Sequence, residues 1–451
     1  MTFEAGTRVH IVGVGGAGMS GLARLLHERG CLVSGSDAQD SKTLEDLASA
    51  GVEIAVGHDA GHGSDAAIVL WSPAVSMDNV ELLAARRRGA DLMPRSRVLA
   101  ALAGEQPVVG LTGTHGKTTA TSMMVHVYAA AQRGASWLLG APVRGVGSNG
   151  HWGSGELVLE VDESFGTFRE IVPSSLGLLN VESDHLDYYA NRDALEAAFV
   201  DLVNRTTGPV VAWIDDPGAR RVSRRAQRTT VTVGRSAADW LISGETLSRG
   251  SARFRLDRAS SHLAIELAVT GAHNVANAAV VAALAIEIGF DAGAVERGLA
   301  AFGGAPRRFE RIGRWRGAEV YEDYAHLPGE ISATLAAARA AGYQHVTAVF
   351  QPHRVTRTSA LADSFGDAFR DADAVIVTDI YSAGEANPMA ITGEVIARAV
   401  TAAHAGTVRY AATFNDVVGV LAHASSTDII VLLGAGDVGS VAQLLPGGLE
   451  A

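Results

Sequence analysis

The residues with the clearest chemistry form the run Gly113-Thr114-His115-Gly116-Lys117-Thr118-Thr119, which follows the stretch PVVGLT (107–112) and leads into a helical pattern. Backbone N–H groups of such a loop wrap a β-phosphate, Lys117 can bridge β- and γ-oxygens, and Thr118 can offer Oγ to Mg2+. Leu111 stands where the strict phosphate-loop pattern has its first glycine. Lys42 and Lys117 are the only lysines, and arginine fills every other basic position. A lysine kept in a glycine-rich loop therefore points to a need for a compact ammonium.

A phosphate loop alone says only that a nucleoside triphosphate binds. The reaction type has to come from the acids and bases beyond it. EVDES (160–164) ends an apolar stretch, where Glu160 can complete a Mg2+ shell. ESDHLD (182–187) ends the next one, and His185 among its carboxylates reads either as a metal ligand or as part of a solvated turn. GAHNVAN (271–277) precedes an alanine-rich helical pattern, with His273 as a capping group and Asn277 as an amide for adenine, or both as core residues. Arg307 and Arg308 suit an arginine that reaches a γ-phosphate. Asp323, in EDYAHLP (322–328), can meet a ribose hydroxyl. FQPHRVTRT (350–358) groups His353, Arg354 and Arg357, with a plain surface cation cluster as the other reading.

A second glycine loop sits near the start. GVGGAG (13–18) satisfies G-x-G-x-x-G between a strand and a helix pattern, and Asp37 ends the following strand. Such glycines let backbone N–H groups reach a diphosphate at a helix N-terminus. The pattern leaves a dinucleotide and a UDP-sugar both open. A nicotinamide enzyme has no use for the loop at Lys117, which turns the reading toward the UDP-sugar, with Gly15, Gly16, Ala17, Gly18 and Asp37 as the residues of this pattern.

The elements that must position these residues follow an α/β alternation. Strand patterns at 8–13, 32–36, 107–112, 157–161, 176–181, 210–214, 346–350, 374–378 and 429–433 alternate with helix patterns such as 17–29 and 276–288. This predicts parallel sheets with ligands at the strands' C-terminal ends. The 451 residues suit three domains, 1–104, 105–304 and 305–451, the last boundary lying at a Gly-Gly-Ala-Pro stretch. Hydrophobic residues at 47% and charged residues at 19% are an ordinary globular composition. A net charge of -12 argues against a nucleic-acid or anionic-membrane surface. No apolar run reaches bilayer-spanning length, residues 1–9 carry no basic-then-apolar leader, and a single cysteine permits no disulfide framework. Together these features point to the cytoplasm.

The set of motifs resembles the Mur ligases of peptidoglycan precursor synthesis over essentially the whole chain. The resemblance rests on GVGGAGMSGLARLL (13–26), SPAV (72–75), GTHGKTT (113–119), EVDES (160–164) and ESDHLDYY (182–189). It continues through GAHNVANA (271–278), RRFE (307–310), DYAH (323–326), FQPHRVTRT (350–358), YSAGE (381–385) and GAGD (434–437). FQPHR and YSAGE single out the branch that adds L-alanine to UDP-N-acetylmuramate. The resemblance implies an N-terminal Rossmann-like UDP-sugar domain, a central ATPase domain and a Rossmann-like C-terminal domain that closes to admit the amino acid. It implies ATP and Mg2+ as cofactors. Gly113, Thr114, His115, Gly116, Lys117, Thr118 and Thr119 would hold the phosphates. Thr118 and Glu160 would hold one Mg2+ and His185 a second. Asn277 would meet adenine, Arg308 the γ-phosphate region and Asp323 the ribose, while His326, His353, Arg354 and Arg357 would surround the muramoyl carboxylate and alanine.

Two departures stand out. Leu327 occupies a position where the alanine-adding branch usually carries a second histidine, and no lysine lies between His185 and Val210 where some sister ligases carry a carbamylated one. The expected reaction is ligation through an acyl phosphate, with small-molecule partners only, as a monomer or homodimer. The rival readings are a muropeptide-recycling ligase, an NAD-dependent dehydrogenase and a non-catalytic UDP-sugar sensor.

Overall fold

The structure is a computed structural model that describes residues 3–450 except 73–74, 183, 185–187, 260, 404–405 and 423–427. The chain falls into two compact units, one of Met1–Glu245, Phe254–Leu267 and Ala276–Gly303, the other of Thr246–Arg253, Ala268–Val275 and Gly304–Ala451.

The first sheet contains β1 (Arg8–Val12), β2 (Leu32–Asp37), β3 (Glu53–Val56), β4 (Ile68–Trp71) and β5 (Asp91–Pro94), in the order β3-β2-β1-β4-β5. All its pairings are parallel. The order reverses at β1, which places a crevice beyond the C-terminal ends of β1, β2 and β4.

The second sheet has ten strands: β6 (Val108–Thr112), β7 (Ala135–Leu138), β8 (Gly150–His151), β9 (Glu156–Glu160), β10 (Ser175–Leu178), β11 (Val210–Trp213), β12 (Val231–Gly234), β13 (Trp240–Ser248), β14 (Ser251–Arg258) and β15 (Ser261–Leu267). Their order is β15-β14-β13-β12-β11-β10-β6-β9-β7-β8. β6 pairs in parallel with both β10 and β9, so three loops that follow them in the sequence at wide separations leave from one edge. The run Leu157, Val158, Leu159 is fully buried, as expected for a strand covered on both faces. Within the first unit the two sheets are tied through the helix Ala17–Glu28. Asn149 Nδ2 donates to Ala17 O at 2.7 Å and to Ser20 Oγ at 3.0 Å, and the Arg29 guanidinium lies 4.4 Å over the Trp152 ring.

The third sheet, in the second unit, contains β16 (Glu310–Trp315), β17 (Ala318–Asp323), β18 (Val346–Phe350), β19 (Ala374–Val377), β20 (Thr407–Tyr410) and β21 (Ile429–Leu433), in the order β16-β17-β21-β18-β19-β20. Only β16 runs antiparallel to its neighbour. Alternation along the strands splits the core between the faces. Ala348 and Phe350 join Ile331, Leu335 and Phe365 on one side, while Val349, Ile430 and Leu432 join Val417 and Val441 on the other.

Three expectations shift. The helix read from 276 begins at Ala272 and runs to Glu287, so His273 and Asn277 lie inside its first turns and not before it. β10 ends at Leu178, leaving Asn180 and Glu182 on a loop. The segment 240–267 forms three further strands that alternation with helices did not anticipate. Among the described residues no helix is long and apolar enough to cross a membrane.

Phe350 is fully buried between Phe365 and Phe369, with ring centroids 5.3 and 5.5 Å away. Phe350→Ala is expected to cost about 3–5 kcal/mol through lost contacts and the cavity left behind. Urea unfolding followed by tryptophan fluorescence checks this, with an unchanged midpoint as the contrary result.

Candidate active site

Two helices start directly from glycine loops and neither has a side-chain cap: Ala17–Glu28 after Gly16, and Lys117–Ala130 after Gly116. Five other helices in the same unit are capped by Ser41, Asn79, Asn191, Asp216 and Asp291, while the helix Arg95–Ala103 starts after Pro94 without a side-chain cap. Uncapped first-turn N–H groups carry the positive end of the helix dipole, which suits an anion.

At the second loop, Gly116 has φ +80 and a Cβ there would lie 2.7 Å from Asn277 Oδ1, so only glycine lets the loop pass beneath that amide. Asn277 is thus placed against the phosphate loop, at 6% exposure. His115 N donates to Asn180 Oδ1 at 2.7 Å and Asn180 Nδ2 returns a bond to His115 O at 3.0 Å, which clamps the loop to the end of β10. Glu182 N donates to Thr114 Oγ1 at 2.9 Å, and Thr119 is buried in the helix.

Lys117 Nζ donates to Gly113 O at 2.7 Å and to Glu163 Oε2 at 2.9 Å, with Asp162 at 3.5 Å. Burial works against its charge, but Glu163, Asp162 and Glu160 outweigh burial and raise its pKa above that of an ordinary lysine. Glu163 is 1% exposed, and burial pushes its carboxyl up to about 7 although Lys117 opposes this. Thr118 Oγ1 lies 3.1 Å from both carboxylate oxygens of Glu160, and Gly140 N donates to Glu160 at 2.8 Å. One hydroxyl beside one carboxylate is a hard, sparse donor set. It fits Mg2+, which keeps most of its waters and takes few protein ligands. Among the described residues no group of three or more His, Cys, Asp or Glu forms a metal cage. His185 lies outside the described residues.

At the first loop, Gly13, Gly15, Gly16, Asp37 and Ser72 line a cavity of about 740 Å3 together with His58. Asp37 Oδ2 accepts from Gly15 N at 2.9 Å, which ties the end of β2 to the loop. Ala17 and Gly18 begin the helix beside it. A Cβ on Gly18 would fall 2.8 Å from Cζ of Arg95, so this guanidinium packs on the helix start.

In the second unit, five motifs gather past the ends of β17, β21 and β18. Arg354 N donates to Tyr381 O and Tyr381 N to Pro352 O, at 2.8 and 2.9 Å, which zips FQPHR alongside YSAGE. Glu385 accepts from Arg354 Nε and from Thr356 N and Oγ1. Gln351 and Asp437 exchange two hydrogen bonds, and Arg307 donates to Gly434 O and Gly436 O at 2.8 Å each. Arg307 is therefore a clamp within the unit. Arg308 lies 5.0 Å over the Tyr324 ring. Asp323 is 5% exposed and accepts from Phe309 N at 2.6 Å and Ala325 N at 2.7 Å, and burial raises its carboxyl to about 6. Backbone donors thus already engage both oxygens expected at a ribose. His326 and His353 meet edge to face at 5.7 Å, and His353 stacks on Tyr381. Arg357 Nη1 lies 3.3 Å from His353 Nδ1. Leu327 is 6% exposed at the start of the helix Pro328–Ala340, so its position is an apolar one.

Sequence reasoning missed His58, Arg95, Asn180 and Glu163. Glu163 stood inside a quoted motif, while Asn180 carried no motif signal because only the β6–β10 pairing brings it to the loop.

Burial, with His326, Arg357 and Arg354 close by, holds the His353 imidazole at about 4, below its ordinary range. Between pH 6.5 and 4 the unfolded chain takes up a proton at this position that the folded chain refuses, so this group's contribution to stability falls as pH falls. His353→Asn is expected to lose less stability than the parent chain between pH 7 and pH 4.5. Urea midpoints at the two pH values check this, and parallel losses would mean that His353 titrates normally.

The model of the Mur ligase family catalytic domain matches residues 8–106, the Mur ligase middle domain 111–285 and the Mur ligase glutamate ligase domain 307–436. A UDP-N-acetylmuramate–L-alanine ligase of Kineococcus radiotolerans is 43% identical over 96% of this chain and 94% of its own. One of Mycobacterium avium is 40% identical over 96% and 93%. Among solved structures, the UDP-N-acetylmuramate–alanine ligase of Thermotoga maritima aligns with a TM-score of 0.82 at 28% identity over 97% of each chain. A murein peptide ligase of Psychrobacter arcticus aligns with 0.72 at 25% identity over 98% of each. With all three domain models matched in order and 40% identity sustained along nearly the full length, the chain belongs to the Mur ligase family.

Proposed function

We propose that this chain joins L-alanine to UDP-N-acetylmuramate at the expense of ATP, through an acyl phosphate, in the cytoplasmic synthesis of peptidoglycan precursors. The observation that carries the reading is the grouping of Lys117, Thr118 and Glu160 at an uncapped helix start. The names of the relatives at about 40% identity favour alanine as the acceptor over the peptide of the recycling ligases, whose solved relative is 25% identical.

In this reading residues 1–104 carry the UDP-sugar, 105–304 the ATP and 305–451 the amino acid. The first loop takes the diphosphate on Gly15, Gly16, Ala17 and Gly18, with Asp37 and Ser72 at its sides. The loop 113–119 wraps the triphosphate. The Lys117 ammonium leaves its own loop carbonyls for phosphate oxygens, and Asn277 and Arg308 contact adenine and the γ-phosphate region. Asp323 keeps its backbone partners and offers its remaining lone pairs to the ribose. Thr118 and Glu160 would hold one Mg2+ and His185 is expected to hold a second, and such ions would supply charge neutralisation for phosphoryl transfer. The lactoyl carboxylate attacks the γ-phosphorus and ADP departs. Alanine's neutral amine then attacks the acyl carbon, and phosphate leaves from the tetrahedral intermediate. Arg354 and Arg357 hold carboxylates, while His353, neutral at pH 7, and His326 adjoin the incoming amine.

Lys117→Ala is expected to lower ADP formation by at least ~10³-fold, the scale for losing a preorganised charge stabiliser. Near-normal turnover would overturn the assignment. Phosphate release with UDP-N-acetylmuramate, ATP and either alanine or a tripeptide identifies the acceptor. Release that responds to the tripeptide and ignores alanine would transfer the chain to the recycling class.

A further inference from the structure

Glu81 lies in the first turn of the helix Val80–Arg88, is 1% exposed, and has no part in the chemistry above. Five donors surround its carboxylate. His10 Nε2 at 2.9 Å and Ser36 Oγ at 2.7 Å meet Oε2, while His58 Nδ1 at 3.1 Å, His62 Nδ1 at 3.1 Å and Asp59 N at 3.3 Å meet Oε1. They arrive from β1, from β2 and from the loop that follows β3. Burial opposes the charge, yet these bonds hold the carboxyl down at about 2, so it accepts and never donates at neutral pH.

A buried carboxylate ringed by donors is by itself only a tie between strands. One member of this ring, however, is also a wall of the cavity. His58 follows β3, two strands from β1 whose loop leads into the helix start that would take the diphosphate, and it lines the cavity together with Asp37. That side is left for the nucleoside half of a ligand. With Nδ1 turned inward to Glu81 and to Ser36 Oγ at 3.3 Å, Nε2 is the ring nitrogen remaining for a ligand. An acceptor-only partner keeps the ring hydrogen on Nδ1, and the neutral ring then presents a lone pair at Nε2. Uracil has an imide N–H to offer such an acceptor, whereas cytosine has a bare ring nitrogen at the same place.

We propose that Glu81 is a positioning residue of the nucleotide-sugar cavity: it fixes the tautomer and orientation of His58, whose Nε2 accepts the imide N–H of a uracil base and so selects uridine over cytidine diphosphates. The inference rests on the reading of this cavity as the UDP-sugar site and adds a base-selecting pair to it.

The test is calorimetric titration of UDP and CDP into the full chain, its Glu81→Gln variant and its His58→Phe variant. Long-range 1H–15N spectra of the histidines report the tautomer. Glutamine keeps the volume but turns one acceptor oxygen into an N–H2 facing donors. UDP affinity is expected to fall about tenfold in both variants, the order of one hydrogen bond, with little change for CDP. The His58 signal is expected to leave the pure Nδ1–H form in Glu81→Gln, and the loss in turnover to fall more on KM for the UDP-sugar than on kcat. His58→Phe keeps four of the donors around Glu81, so the base preference remains testable if Glu81→Gln does not fold. Unchanged UDP-over-CDP preference in either folded variant would overturn the inference while leaving the cavity reading intact. A parent chain that binds neither nucleotide would remove the cavity reading itself.

Discussion

The parallel register that sets β6 between β9 and β10 governs the nucleotide end of the molecule. Leu111 opposes Glu160 on one side and Thr112 opposes Leu178 on the other. From those pairings the Lys117 loop, the Glu160–Glu163 strand end and the Asn180 turn leave the sheet together, although they lie far apart in sequence. A slip of one residue would turn Glu160 to the opposite face and separate it from Thr118. The pairing is held by strands buried on both faces, so apolar burial fixes where the charges meet.

Each of the other sheets uses its strand ends in the same way. In the first, β1, β2, β3 and β4 deliver Gly13, Asp37, His58 and Ser72 to one cavity. In the third, β17, β21 and β18 deliver Asp323, Gly434 and Gln351 to one edge, where Arg307 and Asp437 tie the loops together. These polar ties are part-buried, and the donors and acceptors they satisfy would otherwise lose hydration without gaining a partner.

A chain of net charge -12 that handles several anions has to concentrate positive potential locally. Two uncapped helix starts, the Lys117 ammonium and a few guanidiniums are the local positive features that the fold offers for this. The Lys117 ammonium is surrounded by carboxylates and carbonyls that keep it charged, and that environment is also one a phosphate could replace. His353 shows the opposite tuning, since burial first and then the neighbouring His326, Arg357 and Arg354 disfavour its protonated form.

The sequence by itself determined the local features: both glycine loops, the lysine retained among arginines, the α/β alternation, and the motifs by which the chain resembles its family. These are legible because glycine positions, strand periodicity and a helix start depend on residues close together along the chain. The start of the helix at Ala272, four residues earlier than the apolar pattern suggested, was not legible, because Gly271 to Val275 is polar enough to resemble a loop. Tertiary structure alone decided that Asn180 clamps the loop 113–119, that Arg307 serves as a clamp, that Leu327 occupies an apolar position, and that Glu81 gathers three histidines, one from β1 and two from the loop after β3. Those outcomes depend on which strands lie side by side and on which polar groups burial forces to find partners, and neither is written in any short stretch of the chain.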